Sequence, residues 1–233
     1  MKLHLIELTQ TPIYEQLLLE EALLRADERS FCVINHGSPR AIVMGLSGIA
    51  PELLHLERIA EDQIPVYKRY SGGGTVIVDE KTLFISFLIS KKDLDITPYP
   101  EPIMRWSCDL YKSAWNLPDF SLRENDYTIG EKKCGGNAQY LRKDRWMHHT
   151  SFLWDYREEN MEYLLLPKKC PTYRKDRSHN EFLCKLKDHA PLDTLIQNLK
   201  EELVKRFYIE QLSSDELEEI RSRSYRIATH PFK

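Results

Sequence analysis

Two adjacent lysines and a run of small residues form the stretch of this sequence best equipped for chemistry. Lys132 and Lys133 are followed closely by Gly135, Gly136 and Ala138. A fixed ammonium can stabilise developing negative charge, and residues of little bulk let a ligand approach the backbone. Successive side chains of a strand point to opposite faces, so one lysine is expected to face the interior or a pocket. An exposed hairpin with surface lysines would show the same pattern, and this segment alone does not separate the two interpretations.

A second stretch, Ser71-Gly72-Gly73-Gly74, follows Arg69 by one intervening residue. Three consecutive glycines cost backbone entropy, and the expected benefit is unusual backbone angles or amides exposed to an anion. A guanidinium beside such amides is typical of a phosphate or carboxylate clamp. The run fits neither the Walker A loop nor the GxGxxG fingerprint. A plain glycine loop between strands is the alternative.

Composition narrows the class of protein without naming a partner. The 233 residues carry a formal net charge of -3, and no linker-like tract divides them, so residues 1–233 are predicted to form a single domain. The net charge lacks the basic excess of nucleic-acid-binding proteins, so no nucleic-acid partner is expected. No apolar run approaches the length of a membrane span, so no membrane association is expected. Five scattered cysteines and the absence of a signal-peptide pattern predict a cytoplasmic protein with reduced thiols, or an organelle-matrix protein if a targeting segment was removed.

The elements that must position these residues mix hairpins with helices. Helical spacing predicts helices over 11–27, 51–60, 99–115 and 192–207, the first capped by Thr11. Capping boxes at Ser178 and Ser213 predict two more. Strands are predicted over 31–35 and 41–44 as a hairpin, over 66–69, 75–78 and 82–89, in a hairpin turning at Gly130-Glu131, and over 146–154. Hairpins without regular strand-helix alternation favour an α+β fold, with helices packed on a largely antiparallel sheet.

His148 and His149 lie side by side on the last predicted strand. They should face opposite ways, so they cannot easily share a metal ion. We expect one to be buried with a hydrogen bond and the other to lie near a site.

Two segments together go further than composition: KRYSGGGTVIVD, 68–79, and NDYTIGEKKCGGNAQYLRKDRWMHHTSFLWDY, 125–156. They resemble the lipoate-protein ligase A family. The shared pattern is an arginine two residues before SGGG, then ND, a lysine followed by a GxAQ run, and two histidines before an apolar strand. The resemblance implies the catalytic-domain fold of biotin and lipoate ligases, which is related to class II aminoacyl-tRNA synthetases.

The same resemblance implies an activity in two steps. Free lipoate is activated with ATP to lipoyl-AMP, and the lipoyl group passes to a lysine of lipoyl domains of 2-oxoacid dehydrogenases or of the glycine cleavage H protein. Lys133 matches the catalytic lysine. Implied ATP-binding residues are Arg69, Gly74, Thr75, Val76, Ile77, Asp126 and Lys133. Implied lipoate-binding residues are Ser71, Gly72, Gly73, Lys133, Gly135, Gly136, Ala138 and His149. Mg²⁺ is implied with ATP, its ligands being unknown, and octanoate is expected to replace lipoate.

The sequence departs from the family at Cys134, where isoleucine or valine is common, and at Thr150, where glycine usually follows the histidines. Strand alternation predicts that the Cys134 thiol is buried opposite Lys133 and has a raised pKa. A chain that stops at Lys233 leaves no room for the accessory C-terminal domain of many of these ligases, so a separate accessory-domain protein is a possible partner.

Three alternatives compete with the ligase interpretation. An octanoyl or lipoyl transferase would work from a carrier protein through a cysteine thioester, without ATP, but no cysteine occupies 120–122 or 145–147, where the related families place it. A biotin ligase would carry a GRGRxxR motif, which is absent. A silent module that only binds lipoyl domains would have no need to keep both Arg69 and Lys133.

Overall fold

The computed structural model describes residues 1–167 and 170–232, and within them two β-sheets carry the candidate residues. The strands are β1 (Lys2–Thr9), β2 (Phe31–His36), β3 (Ala41–Met44), β4 (Val66–Lys68), β5 (Val76–Val78), β6 (Thr82–Ser90), β7 (Phe120–Arg123), β8 (Asp126–Ile129), β9 (Lys132–Leu141), β10 (Arg145–Leu153), β11 (Tyr208–Gln211) and β12 (His230–Pro231). The large sheet has the order β11-β1-β2-β6-β10-β9-β8-β7, and the small sheet has the order β12-β4-β3-β5. Pairing is antiparallel except for β1 with β2 and β11, and β3 with β4.

Helices cover both faces of the large sheet. They are α1 (Ile13–Ala26), α2 (Ala50–Leu53), α3 (Leu56–Glu61), α4 (Pro100–Trp115), α5 (His179–Phe182), α6 (Leu192–Arg206) and α7 (Ser214–Ser222). The largest core cluster joins α4 and α6 to the sheet, and another joins α1 and α7 to it. This arrangement confirms the α+β prediction. No helix in the described ranges is both long and apolar enough to cross a membrane.

The predicted central hairpin is confirmed, with one irregularity. β8 and β9 are antiparallel, and Gly130 turns between them with φ 55°. Tyr127 pairs with Gly135 whereas Thr128 pairs with Lys133, so Cys134 is the extra residue of a β-bulge. The bulge interrupts strict alternation directly after Lys133.

The predicted hairpin of 31–35 with 41–44 is wrong. β2 lies in the large sheet beside β1 and β6, whereas β3 lies in the small sheet between β4 and β5. The turn residues bond to the β5–β6 connection and to the start of β6, since Ser38 donates its N–H to Asp79 and Gly37 donates its N–H to Thr82. These long-range bonds lead the chain from one sheet to the other.

Two of the six helix predictions need correction, whereas α4, α6 and the two helices at the capping boxes are confirmed. The N-cap of α1 is Pro12 and not Thr11, and no side chain caps the helix there. The Ile13 N–H at the start of the helix donates instead to the hydroxyl of Ser38 at 2.9 Å. The helix predicted over 51–60 is broken into α2 and α3, where Leu54 forms a bridge with Leu164. Both capping boxes are present, at the start of α5 and of α7.

The segment 228–232 closes the small sheet next to the glycine run. His230 and Pro231 of β12 pair with Lys68 and Tyr67 of β4. The N–H groups of Ala228 and Thr229 donate to the carboxylate of Glu21, which is fully buried on α1. The chain therefore returns to the strand that leads into Arg69.

Candidate functional site

Lys133 is aimed by a carboxylate from the neighbouring strand. Its Nζ lies 2.7 Å from Oδ1 of Asp126, and the lysine side chain is 24% exposed while that of Asp126 is 8% exposed. The other carboxylate oxygen accepts a hydrogen bond from the hydroxyl of Tyr173 at 2.9 Å. With both Asp126 oxygens engaged, the ammonium is fixed at an accessible position.

The small residues after Lys133 make room on both faces of β9. A Cβ on Gly136 would lie 3.1 Å from the Lys133 Nζ, so that glycine leaves space for the ammonium. A Cβ on Gly135 would lie 2.6 Å from the Phe152 ring, so that glycine serves the core. Only one of the two therefore borders the ammonium.

Arg69 lies beneath the glycine run and holds it from inside. The guanidinium is buried, and its Nη2 donates to the carbonyls of Gly72 and Gly74 at 3.0 and 2.8 Å. Gly73 has φ 109°, and a Cβ there would lie 2.7 Å from Nη2, so only glycine fits. Burial lowers the pKa of Arg69 to about 10, against the opposing charge of Glu20.

The glycine run and β9 are in contact. A Cβ on Gly73 would lie 3.2 Å from the carbonyl oxygen of Asn137 and 3.6 Å from Cα of Ala138. The structure thus brings together the two stretches that the sequence singled out. Ser71 and Ile77 are buried, Gly72, Gly73 and Gly74 are exposed, and Thr75 and Val76 are intermediate.

Four buried polar atoms of this loop have no hydrogen-bond partner within the described residues: Arg69 Nε, Tyr70 Oη, Ser71 Oγ and Thr75 Oγ1. Buried polar groups are normally paired, because an unsatisfied group retains its desolvation penalty. Four such atoms within seven residues indicate a place that a polar ligand or ordered water completes.

The two histidines lie in different environments. His148 is fully buried, within 2.8 Å of the Tyr127 hydroxyl and 2.9 Å of Nε2 of Gln139, and burial lowers its pKa to about 3. His149 places Nδ1 3.0 Å from the carboxylate of Glu20. The expectation of a buried, hydrogen-bonded histidine is confirmed, and His149 is buried as well.

Glu20 is a residue that the sequence interpretation missed. It is fully buried, and burial by itself would raise its pKa; the charge and hydrogen bond of His149, with bonds from Ser86 and Gln16, lower the pKa instead. The Ser86 hydroxyl donates to it at 2.6 Å. The available signal was Gln16 and Glu20, four residues apart on an otherwise leucine-rich helix.

The basic segment 171–179 closes over the hairpin. It supplies Tyr173, whose ring stacks under the Arg123 guanidinium at 4.9 Å. A cavity of about 470 Å³ borders it, lined by Arg123, Glu124, Thr172, Tyr173 and Lys175. Arg123 and Lys175 bring positive charge to this lining and Glu124 brings negative charge, and Arg123 also pairs with Glu131.

The expected Mg²⁺ stays a prediction. In 1–167 and 170–232, no group of three or more His, Cys, Asp or Glu side chains is placed to hold a metal ion. Mg²⁺ commonly binds through substrate phosphates with one or two carboxylates, so an ion carried by a nucleotide would need few protein ligands.

Comparison with known proteins identifies a family for this chain. Residues 12–208 match the family described as Lipoyl protein ligase A/B catalytic domain. A Plasmodium falciparum protein named inactive lipoate–protein ligase 2 is 27% identical over 85% of this chain and 69% of its own length. A probable lipoate-protein ligase A of Mycoplasma genitalium is 27% identical over 61% of this chain, which spans 43% of that protein.

Two solved structures share the fold. A lipoate-protein ligase A bound with ATP superposes with a TM-score of 0.74 at 20% identity, over 94% of this chain and 92% of that one. The bipartite lipoate protein ligase of Thermoplasma acidophilum, described with its E2 lipoyl domain, gives 0.75 at 22% identity, over 94% and 89%. At these identities the likeness shows the fold alone.

Proposed function

The chain belongs to the Lipoyl protein ligase A/B catalytic domain family, and from this premise we propose that it is an ATP-dependent lipoate-protein ligase. It would activate lipoate or octanoate as the acyl-adenylate and transfer the acyl group to a lysine of lipoyl domains or H protein. The observation that carries the proposal is the Lys133 ammonium, held at 2.7 Å by Asp126 beside a glycine loop with unsatisfied polar atoms.

Joining a carboxylate to the α-phosphate of ATP requires two anions to approach each other. Lys133 is the partly exposed cation of the site, and its fixed position would let it stabilise charge on both groups without reorganisation. The carboxylate would attack the α-phosphorus of ATP, the bond to the β-phosphate would break and pyrophosphate would leave, with Mg²⁺ bound to the phosphates offsetting further charge. The ε-amine of the acceptor lysine would then displace AMP from the activated carboxyl.

The nucleotide would lie between the glycine loop and the cavity at Tyr173. Ser71 and Thr75 offer unpartnered hydroxyls, and Arg123 and Lys175 line the cavity. Arg69 donates to loop carbonyls, so its contribution to ATP binding would run through the shape of the loop and Gly74 to Ile77.

The acyl chain would lie along the small residues of β9. Ala138 borders the contact between Gly73 and β9, and His149 is its register partner on β10. An apolar slot separates lipoate from octanoate only by shape, so both acids should serve, while acetate should be a poor substrate.

A silent binding protein is the second candidate, because the Plasmodium relative that covers most of this chain is named inactive. The intact Lys133 and Asp126 pair argues for the ligase. The transferase alternative loses Cys134 as an acyl carrier, because burial raises the pKa of this thiol well above its usual value. All five cysteines are free, which suits the reducing cytoplasm.

The deciding experiment incubates the chain with apo lipoyl domain, lipoate and Mg²⁺, with and without ATP, and reads the acceptor by intact mass. We expect one lipoyl group per acceptor and AMP release only with ATP. Acyl transfer from an acyl carrier protein without ATP would establish the transferase. Acceptor binding without either reaction, including after addition of an accessory-domain protein, would establish the silent module.

A further inference from the structure

Two cysteines lie together directly behind Lys133. The chain leaving α5 runs beside β9, where the N–H of Cys184 donates to the Lys133 carbonyl at 2.9 Å and Leu183 forms a parallel bridge with Lys133. The next residues of the two segments are Cys134 and Cys184. Adjacent strands lie roughly 4.7–4.9 Å apart, and a disulfide joins Cα atoms roughly 4.4–6.8 Å apart, so the backbone spacing suits a bridge.

The two thiols are already in contact, and they differ in reactivity. The Cys184 Sγ donates to the Lys132 carbonyl at 3.6 Å, and it also interacts with the Cys134 thiol, whose hydrogen bond would stabilise a Cys184 thiolate. That bond, with the Ile129 N–H and the nearby Lys132 charge, lowers the pKa of Cys184 although burial opposes the change. Cys184 is half-buried, whereas Cys134 is fully buried and burial raises its pKa. Cys184 is thus suited to react first with an oxidant, and Cys134 to react second.

We propose that Cys184 and Cys134 are an oxidation site for peroxides, at which a disulfide closes beside Lys133. The Cys184 thiolate attacks one oxygen of hydrogen peroxide, the O–O bond breaks, and the departing hydroxide takes up a proton to leave as water. The sulfur of Cys134 then attacks the resulting sulfenic acid, and its thiol proton leaves with the hydroxyl group as a second water. One peroxide is reduced by two electrons while two thiols become one disulfide.

The consequence for activity rests on the proposed function. The disulfide would tie the Lys133 strand covalently to the chain that follows the segment bearing Thr172, Tyr173 and Lys175, which line the cavity. Restricting that segment should slow nucleotide entry and release. We expect adenylation to fall several-fold on oxidation and to recover with dithiothreitol.

The test uses mass spectrometry, so it does not depend on ligase activity. Cys170 is exposed and could compete for oxidant, so each protein carries Cys170→Ser. After hydrogen peroxide and alkylation of the remaining thiols, we expect the loss of two hydrogens and a linked peptide joining residues 134 and 184. Cys134→Val should stop at a dimedone-reactive sulfenic acid on Cys184, and Cys184→Ser should form neither product.

Two results would overturn the site: no linked peptide at peroxide concentrations that oxidise Cys170 in the parent chain, or, in a Cys134→Val protein that keeps Cys170, as much sulfenic acid on Cys170 as on Cys184. A linked peptide in a chain without ligase activity would support the oxidation site and count against the proposed function alone. A linked peptide with unchanged adenylation would keep the site and refute its effect on turnover.

Discussion

Arg69 and Lys133 are the two cations that the sequence singled out, and the structure holds them in opposite ways. Arg69 is 4% exposed and forms no ion pair with a described residue, since its Nη2 donates to two loop carbonyls. The Lys133 side chain is 24% exposed and is paired with Asp126. A planar guanidinium can organise a loop because its donors diverge in fixed directions, whereas a single ammonium must be aimed by a partner. The comparison separates a residue that shapes the site from one that is free to act in it.

Replacement of Lys133 by alanine should have the largest effect on catalysis. Removing one preorganised donor to developing charge typically costs about 10²–10³ in rate, and we expect adenylation to fall by about that factor. The melting temperature should change little, because the lysine is only partly buried. ATP–pyrophosphate exchange with lipoate measures the rate.

Lys132→Ala is the matched control on the exposed neighbour. It should keep near-normal exchange. Full activity of Lys133→Ala, or equal losses in both variants, would remove Lys133 from the catalytic role.

Arg69→Lys should destabilise the glycine loop, and the altered loop should then weaken the use of ATP. Lysine cannot reproduce both donors to Gly72 and Gly74, and a loss of about 3 kcal/mol in unfolding free energy follows from a buried ammonium left without those acceptors. The KM for ATP should rise more than that for lipoate. The control is Arg145→Lys, at another buried arginine, which should lower stability without changing the KM for ATP. An equal change in the KM for ATP in both variants would contradict a specific role of Arg69 in the loop.

Glu20→Gln tests the buried carboxylate that contacts His149 and opposes the charge of Arg69. We expect a loss of about 2 kcal/mol at neutral pH from an unbalanced buried charge. Folding lowers the Glu20 pKa from its ordinary value of 4.5, so its contribution is present above that pH and is lost as the pH falls below it. Denaturant titrations of both proteins should therefore converge in acid.

The matched control for Glu20 is Glu15→Gln, on the exposed side of the same helix. It should change stability little at any pH. If the difference in unfolding free energy between wild type and Glu20→Gln grew below pH 4.5, the glutamate would be protonated in the native protein.

Tyr173→Phe should have the smallest effect. It removes one hydrogen bond to Asp126, worth about 1 kcal/mol, and leaves the Lys133 pair in place. The adenylation rate should fall a few-fold while the protein stays folded. Tyr163→Phe, which loses a like bond to Asp62 away from the site, should leave adenylation unchanged; equal behaviour of the two variants would place Tyr173 outside the site.

Local signals predicted much of this molecule, because local physics decides them. The turn at Gly130, both capping boxes and the amphipathic helices α4 and α6 follow from nearby residues. The burial and raised pKa of Cys134 were also predicted, although its bulge means that simple alternation does not set its direction.

Long-range contacts explain what the sequence did not predict. The separation of β2 from β3 depends on bonds from Gly37 and Ser38 to Thr82 and Asp79, about 40 residues further along. Tyr173 reaches Asp126 across 47 residues. The inward direction of Arg69 depends on carbonyls that its own loop presents. The residue types predicted a site, and only the fold shows which cation faces outward.

The pairing of β12 with β4 has a consequence for how the site opens. Segment 228–232 donates to buried Glu21 and lies beside Lys68, the residue before Arg69. Release of this segment would remove two hydrogen-bond donors from the buried Glu21 carboxylate. It would also expose the edge of β4, the strand that leads into the glycine loop. Native-state hydrogen exchange should therefore show the Lys68 amide and those of Ala228 and Thr229 opening with one free energy, as a single cooperative unit.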